Sequence, residues 1–137
     1  MTHENRRAAI AQELRHAKLA LDAVRLLRQA SLYNDALSRL YYALFHAATA
    51  LLLTEGLEPR RHRALPGLLG GHFLVSGVLT AADIALVGRT ATYRDLADYE
   101  RTWEATEDVA DAAFKEVEPL VQKIEGHLTR GGWTGGG

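Results

Sequence analysis

Cysteine is absent from this sequence of 137 residues. Its absence excludes disulfide bonds, a thiolate nucleophile and any metal site with cysteine ligands. The sequence also lacks an excess of positive or negative charge, since the formal net charge is −1. A nearly neutral chain sets up no global field that would attract nucleic acid or an anionic membrane, so such contacts would depend on local patches.

Long apolar runs are missing as well. The longest lies near residues 47–53 and is too short to span a bilayer. The N-terminal sequence MTHENRRAAI is polar and lacks the apolar segment of a signal peptide. We therefore expect a cytoplasmic protein.

No segment shows the alternation of apolar and polar residues that is typical of β-strands. Apolar residues instead recur at spacings of three and four, which predicts helices. We expect an all-α fold, an antiparallel helical bundle of four long helices plus one short helix. The predicted helices cover residues 4–29, 31–56, 62–76 and 81–99, and a fifth begins after Thr102 or Thr106 and reaches Leu128. They form one domain, residues 1–130, and a flexible Gly-rich tail follows at residues 131–137.

Particular residues mark the predicted helix ends. Ser31 or Asn34 is expected to cap the start of the second helix, because either side chain can accept a hydrogen bond from a free backbone N–H. Gly56 suits the end of that helix, since glycine adopts positive φ without strain. Thr80 and Asp83 resemble a capping box at the start of the fourth helix.

The second helix is the most strongly patterned part of the chain. One side gathers a continuous apolar face, formed by Leu37, Leu40, Tyr41, Leu44, Ala48, Leu51 and Leu52. The opposite side carries a polar row flanked by alanines, namely Asp35, Arg39, Tyr42, His46 and Thr49 with Ala43, Ala47 and Ala50. The apolar face predicts a core helix. For the other side two interpretations stay open, a solvated surface or a surface that packs against a partner helix or a second subunit.

Chemical motifs with their own signature are scarce. The glycines at positions 67, 70 and 71 do not form a phosphate-binding loop, because the lysine and the spacing that such a loop requires are missing. The histidines show no metal-ligand spacing, so we expect neither a metal nor a cofactor. Arg94 and Asp98 lie four residues apart and can pair along a helix surface.

Three segments together give the chain a family resemblance. They are SRLYYALFHAATALLLTEGLEP at residues 38–59, the segment from His62 that leads into HFLVSGVLT at residues 72–80, and YRDLADY at residues 93–99. In order and spacing they resemble the small stand-alone branch of the HEPN domain family, whose members carry R-x-YYA early and R-x-x-A-D-Y late. The resemblance extends over residues 32–128.

The resemblance implies several properties that the residues alone do not. HEPN domains are helical bundles that typically form homodimers, with the late motifs facing each other across a dimer cleft. Many are ribonucleases with an R-x(4–6)-H motif, and many are the toxin partner of a minimal nucleotidyltransferase. Some are modified by that partner with AMP on a tyrosine, and nucleotide binding has been proposed for the family.

Carried onto this sequence, the resemblance implies a site around the late motif. Arg94 matches the family arginine, but Tyr99, Glu100 and Arg101 occupy the positions where the ribonuclease histidine would stand. Without it the site lacks the usual group that moves protons near neutral pH. Asp98 is expected to contact a nucleotide or the dimer cleft, as are three residues of the second helix, Arg39, Tyr42 and His46.

Two hypotheses of different classes follow. The first, which we favour, is a homodimeric binding module that engages a nucleotidyltransferase partner or a nucleotide. The second is a metal-independent ribonuclease toxin, with Arg94 as the phosphate-binding catalytic residue and either Tyr99 or His46 in the proton-transfer role. A third interpretation makes Tyr99 the acceptor of AMP from the partner enzyme.

Overall fold

A computed structural model describes residues 1–134 of the chain. The helices are α1 (His3–Gln29), α2 (Tyr33–Leu53), α3 (Leu65–Phe73), α4 (Ala81–Tyr99) and α5 (Glu107–Arg130), with a short 3-10 turn at His62–Ala64 before α3. This part of the chain contains no strand. The predicted all-α bundle of four long helices and one short helix is therefore confirmed.

Helix α2 is the centre of the bundle. It packs most extensively against α1, to which a short connection joins it as an antiparallel pair, and it also contacts α4, α5 and α3. Its predicted core face is fully buried, and so are the alanines of the opposite side, Ala43, Ala47 and Ala50. The chain's own helices therefore cover the alanines, whereas Asp35 and Arg39 of the polar row are exposed.

Helix α2 is apolar along most of its length. Tyr33–Leu53 is long and apolar enough to cross a bilayer by length and composition. However, 72% of its most apolar window is buried inside the bundle. A helix surrounded by its own chain in this way is the core helix of a folded domain.

The prediction that Ser31 or Asn34 caps α2 is wrong. Leu32 occupies the N-cap position and makes no side-chain cap hydrogen bond. Ser31 instead belongs to the end of α1, where it has a φ of 60°. Its N–H donates to the carbonyl of Arg28 at 3.0 Å, and the N–H of Leu32 donates to the carbonyl of Leu27 at 2.9 Å. That pattern is the Schellman motif, which needs a residue in the left-handed conformation.

Asn34 lies within the first turn of α2 and serves a different purpose. Its amide nitrogen donates to the carbonyl of Trp103 at 3.0 Å, and its side-chain oxygen accepts from the N–H of Ala105 at 2.7 Å. These two bonds fasten the segment between α4 and α5 onto α2. Trp103 packs there against Tyr93, with ring centroids 6.4 Å apart.

The predicted caps of α4 and α5 agree with the structure. Thr80 and Asp83 form both bonds of a capping box at the start of α4, and Thr106 caps α5 through the N–H of Val109. Gly56 has the expected positive φ, 72°, but α2 ends at Leu53, three residues before the predicted end. Helix α3 is shorter than the predicted residues 62–76, because its first residues form the 3-10 turn and a tight turn at Gly77, with a φ of 79°, follows it.

The residues after α5 turn back onto the bundle. Gly132 has a φ of 79°, and the N–H of Trp133 bonds to the carbonyl of Leu128 at 2.9 Å, again as a Schellman motif. The Trp133 ring lies 5.1 Å from the ring of His3. Trp133 is therefore packed on the bundle, unlike the flexible tail expected from residue 131 onward, and residues 135–137 of that expected tail lie outside the described part of the chain.

Candidate functional site

A cleft opens where α4 faces α2 and the turn that precedes α3. Its volume is about 670 Å³, which falls within the range of small-ligand sites. Residues from all of these elements line it, namely Tyr41, Arg61, His62, Arg63, Pro66, Val87, Ala91, Arg94, Asp95 and Tyr99. Three arginines and one aspartate give this lining an excess of positive charge.

Arg94 is held on several sides. Its guanidinium carbon lies 5.6, 5.4 and 5.7 Å from the ring centroids of Tyr41, Tyr42 and Tyr99, within the range of cation–π contacts. One terminal nitrogen donates to the Tyr42 hydroxyl at 3.0 Å, and Nε is 3.4 Å from a carboxylate oxygen of Asp98. The side chain is only 17% exposed. The result is a fixed guanidinium enclosed by aromatic rings.

These neighbours keep Arg94 charged. Burial by itself would lower the pKa of Arg94, but Tyr42, Tyr99 and Asp98 together favour the charged form and raise its pKa. A permanent positive charge in a partly dehydrated cleft attracts anions more strongly than the same charge in water. Carboxylate and phosphate are the anions whose geometry the planar guanidinium matches.

His62 lies beside Arg94 in the cleft and is held by Tyr41. Its Nδ1 is 2.8 Å from the Tyr41 hydroxyl, and its ring stacks on Phe45 with centroids 4.4 Å apart. Burial, followed by the nearby charge of Arg94, lowers the pKa of His62. This shift favours the neutral imidazole. Burial also raises the pKa of Tyr41 to about 12, so its hydroxyl keeps its proton.

The residues singled out in the late motif come together here. Arg94 and Tyr99 both line the cleft, and Tyr99 is 70% exposed at its edge. Asp98 lies behind Arg94 and also accepts a hydrogen bond from Ser38 at 3.2 Å. In the structure the Arg94–Asp98 pair thus lies within a single chain.

The residues singled out on α2 divide into two groups. The Tyr42 hydroxyl accepts a hydrogen bond from Arg94. The guanidinium carbon of the exposed Arg39 lies 5.2 Å from the centroid of the Tyr42 ring, so both residues belong to the surroundings of the cleft. His46 instead pairs with Glu13 of α1 at 2.6 Å and lies 5.3 Å from the ring of His16. It is not among the described residues that line the cleft.

Sequence reasoning missed His62 and the polar end of Tyr41. The prediction that Tyr41 lies in the core is correct, since the residue is 1% exposed, but Tyr41 also lines the cleft and its hydroxyl lies 2.8 Å from Nδ1 of His62. For His62, the spacing of the histidines indicates only that a metal site is not expected. One signal was available, the basic run Arg60–Arg63 that contains His62 and directly follows Pro59. Such a run in a loop is typical of an anion-binding patch.

The described residues lack a metal-binding arrangement. Among residues 1–134, no group of three or more His, Asp or Glu side chains is placed to hold a metal ion. The groups that the cleft offers to a ligand are the Arg94 guanidinium, the neutral His62 imidazole and the exposed ring of Tyr99. Arg61 and Arg63 add two positive charges, and the described residues provide neither of them with an ion-pair partner. This combination suits a ligand with a phosphate group and a flat aromatic part.

The fold and this cleft define a class, a helical-bundle protein with a cationic, aromatic cleft beside its central helix. Comparison with known proteins then identifies the family. The model of the HEPN domain matches residues 11–127, which is most of the chain. The chain belongs to the HEPN domain family, as its early and late motifs predicted.

Individual relatives agree with this assignment. A Methanocaldococcus jannaschii protein named "Putative toxin MJ0605" is 35% identical over 105 residues, which are 77% of this chain and 78% of the relative. "Putative toxin MJ0142" of the same organism is 27% identical over 112 residues, 82% of this chain and 76% of the relative. A Thermotoga maritima protein named "UPF0332 protein" is 29% identical over 111 residues, 81% of this chain and 84% of the relative.

Proposed function

We propose that the protein is a homodimeric HEPN binding module whose cleft binds the phosphate group of a nucleotide or of RNA. The observation that carries the proposal is the position of Arg94, a permanently charged guanidinium fixed by three tyrosine rings and a hydrogen bond at the side of a ligand-sized cleft. A guanidinium that is already ordered loses little conformational entropy when a ligand binds.

The aromatic part of the ligand has a candidate contact as well. The Tyr99 ring is 70% exposed at the edge of the cleft and is the kind of surface on which a nucleobase stacks. Stacking of a base on an aromatic side chain contributes about 1–3 kcal/mol. The ligand class that fits both contacts is a nucleoside phosphate or a single-stranded RNA.

Binding is tested by calorimetric titration of the purified protein with AMP and with a short single-stranded RNA. We expect saturable binding that Arg94→Ala weakens strongly. The matched control is Arg89→Ala, because Arg89 lies on the same helix and pairs with Glu116 at 2.5 Å outside the cleft. Equal affinities for the wild type and Arg94→Ala would contradict the proposed site.

The biological setting that we propose is a toxin-like pair with a minimal nucleotidyltransferase. It is supported by family membership and by two relatives whose names contain the word toxin. The exposed hydroxyl-bearing ring of Tyr99 is accessible to such an enzyme. Copurification with a nucleotidyltransferase encoded beside this gene tests the partnership. An intact mass unchanged after incubation with that enzyme and ATP would refute Tyr99 as an AMP acceptor.

The homodimer is part of the same proposal. It is supported by family membership, because HEPN domains typically form homodimers. Light scattering coupled to size exclusion measures the mass in solution, and we expect twice the chain mass of 15.1 kDa. A monomer at all concentrations would contradict this part.

A ribonuclease is the second candidate, and one observation favours it. His62 places an imidazole in the cleft with Arg94, although the late motif itself has no histidine at the family's positions, residues 99–101. Cleavage would require His62 to accept the 2′-OH proton through a free nitrogen lone pair. Incubation of RNA with pure protein tests this, with the 2′-deoxy oligonucleotide as control, and unchanged RNA would refute it.

A further inference from the structure

His62 faces the cleft with one of its two nitrogen atoms already occupied. Nδ1 lies 2.8 Å from the Tyr41 hydroxyl, whereas the described residues offer no hydrogen-bond partner to Nε2. The ring is kept in place by Phe45, on which it stacks, and by the edge of Tyr42, whose ring plane is at 90° to it. Nε2 is therefore the nitrogen that is left to meet a ligand.

The direction of the Tyr41–His62 hydrogen bond decides what Nε2 can do. The side chain of Tyr41 is 1% exposed, so its hydroxyl hydrogen has to be donated to a protein acceptor. Within the described residues the acceptor in reach is Nδ1 of His62. A neutral imidazole that accepts at Nδ1 carries its own hydrogen on Nε2.

We propose that Tyr41 fixes His62 as the Nε2–H tautomer, so that the imidazole donates a hydrogen bond to a phosphate oxygen of the ligand beside Arg94 instead of taking a proton from it. Tyr41 is then a positioning residue and His62 a ligand-binding residue. This inference rests on the proposed phosphate-binding function and specifies the donor set of the same cleft.

The charges around His62 are consistent with a neutral donor. Arg94 and Asp95 face it from α4, Tyr41 and Tyr42 face it from α2, and Arg61 and Arg63 flank it in the chain. With Arg94 supplying the positive charge, a second full charge at His62 would be repelled. A neutral N–H donor adds a hydrogen bond to the phosphate without that repulsion.

The consequence for chemistry is specific. A neutral imidazole whose free nitrogen carries hydrogen has no lone pair there with which to accept the 2′-OH proton of RNA. The cleft would then bind a phosphate ester without cleaving it. The tautomer thus decides between the two functions proposed above.

The tautomer is measured by nitrogen-15 NMR of the imidazole rings in the full chain at neutral pH. The His62 signals are assigned by their loss in His62→Gln. We expect the hydrogen on Nε2, and we expect Tyr41→Phe to shift the Nδ1 resonance because its hydrogen bond is lost. The matched control is Tyr33→Phe, which removes a tyrosine hydroxyl that bonds Ser31 at 3.3 Å away from the cleft lining and is expected to leave Nδ1 unshifted. A hydrogen on Nδ1 in the wild type would overturn the inference.

Titration with AMP supplies the second readout. We expect AMP to shift the Nε2 resonance, and His62→Ala to weaken AMP binding about tenfold, the effect of losing a hydrogen bond to a charged group. The control variant is His72→Ala, since His72 pairs with Glu55 away from the cleft lining. An AMP complex that leaves Nε2 unshifted would overturn the donor role.

Failure of this inference is distinguishable from failure of the proposed function. If AMP binds with Arg94 but the hydrogen lies on Nδ1, the cleft is a phosphate site and the tautomer is wrong. If the hydrogen lies on Nε2 but AMP shifts no residue of the cleft, the hydrogen-bond geometry is correct and the proposed function fails, together with the donor role that depends on it.

Discussion

Replacing Arg94 tests the site and the fold at the same time. Arg94→Ala removes the bond to the Tyr42 hydroxyl and the contacts with three tyrosine rings. The hydrogen bond contributes about 1 kcal/mol, and a cation–π contact at a partly exposed site about 0.5–1 kcal/mol. Because these contacts share one guanidinium and do not add fully, we expect the free energy of unfolding to fall by about 1–3 kcal/mol.

The effect on ligand binding should be larger in relative terms. A guanidinium bound to phosphate makes charge-assisted hydrogen bonds that contribute about 1.5–3 kcal/mol, so Arg94→Ala should weaken AMP binding about 10- to 100-fold. Arg94→Lys keeps the positive charge but loses the planar fork. It should therefore bind AMP with an affinity between those of the wild type and Arg94→Ala.

Two assays separate these effects. Urea denaturation followed by circular dichroism gives the free energy of unfolding, and calorimetric titration gives the affinity for AMP. Arg89→Ala is the control on the same helix, and because its pair with Glu116 is exposed we expect a loss of at most about 1 kcal/mol. If Arg94→Ala has the same free energy of unfolding and the same affinity for AMP as Arg89→Ala, then the contacts between Arg94 and the three tyrosine rings neither stabilise the bundle nor prepare a binding site.

Three further predictions concern the framework that positions the cleft. Ser31→Gly should raise the free energy of unfolding by roughly 1 kcal/mol in urea titrations, because serine is strained at its φ of 60°, and a loss of stability would contradict the Schellman assignment. Asn34→Ala should lower it by about 1–3 kcal/mol and speed amide hydrogen exchange in the segment between α4 and α5, since two backbone groups lose their partner. Asp83→Asn should lower the free energy of unfolding by about 1 kcal/mol at neutral pH. Burial would raise the pKa of Asp83, but its hydrogen bonds from Lys123 and Thr80 lower it below the ordinary value of 3.8. The advantage of the wild type is thus complete above pH 3.8 and disappears as the pH falls through the lower folded pKa, so a difference between the two proteins that persists in strong acid would refute this reading.

The helices themselves were largely predictable because their signals are local. Helix α4 begins and ends where the sequence predicted, at Ala81 and Tyr99, since a capping box fixes its start and apolar periodicity marks its extent. Ser31 shows where local signals become ambiguous. A serine between two helices can begin the second or end the first, and only the path of the backbone decides between them.

The sequence by itself determined the all-α bundle and the central place of α2, and it predicted a site at Arg94, whose neighbours Asp98 and Tyr99 lie on the same helix. It did not determine that His62 joins them. Tyr41 and His62 are 21 positions apart, and the loop between them has no periodic pattern that fixes its course. Their contact depends on how α3 and α4 pack against α2. Tertiary structure alone therefore decided that the Tyr41–His62 pair forms part of the cleft.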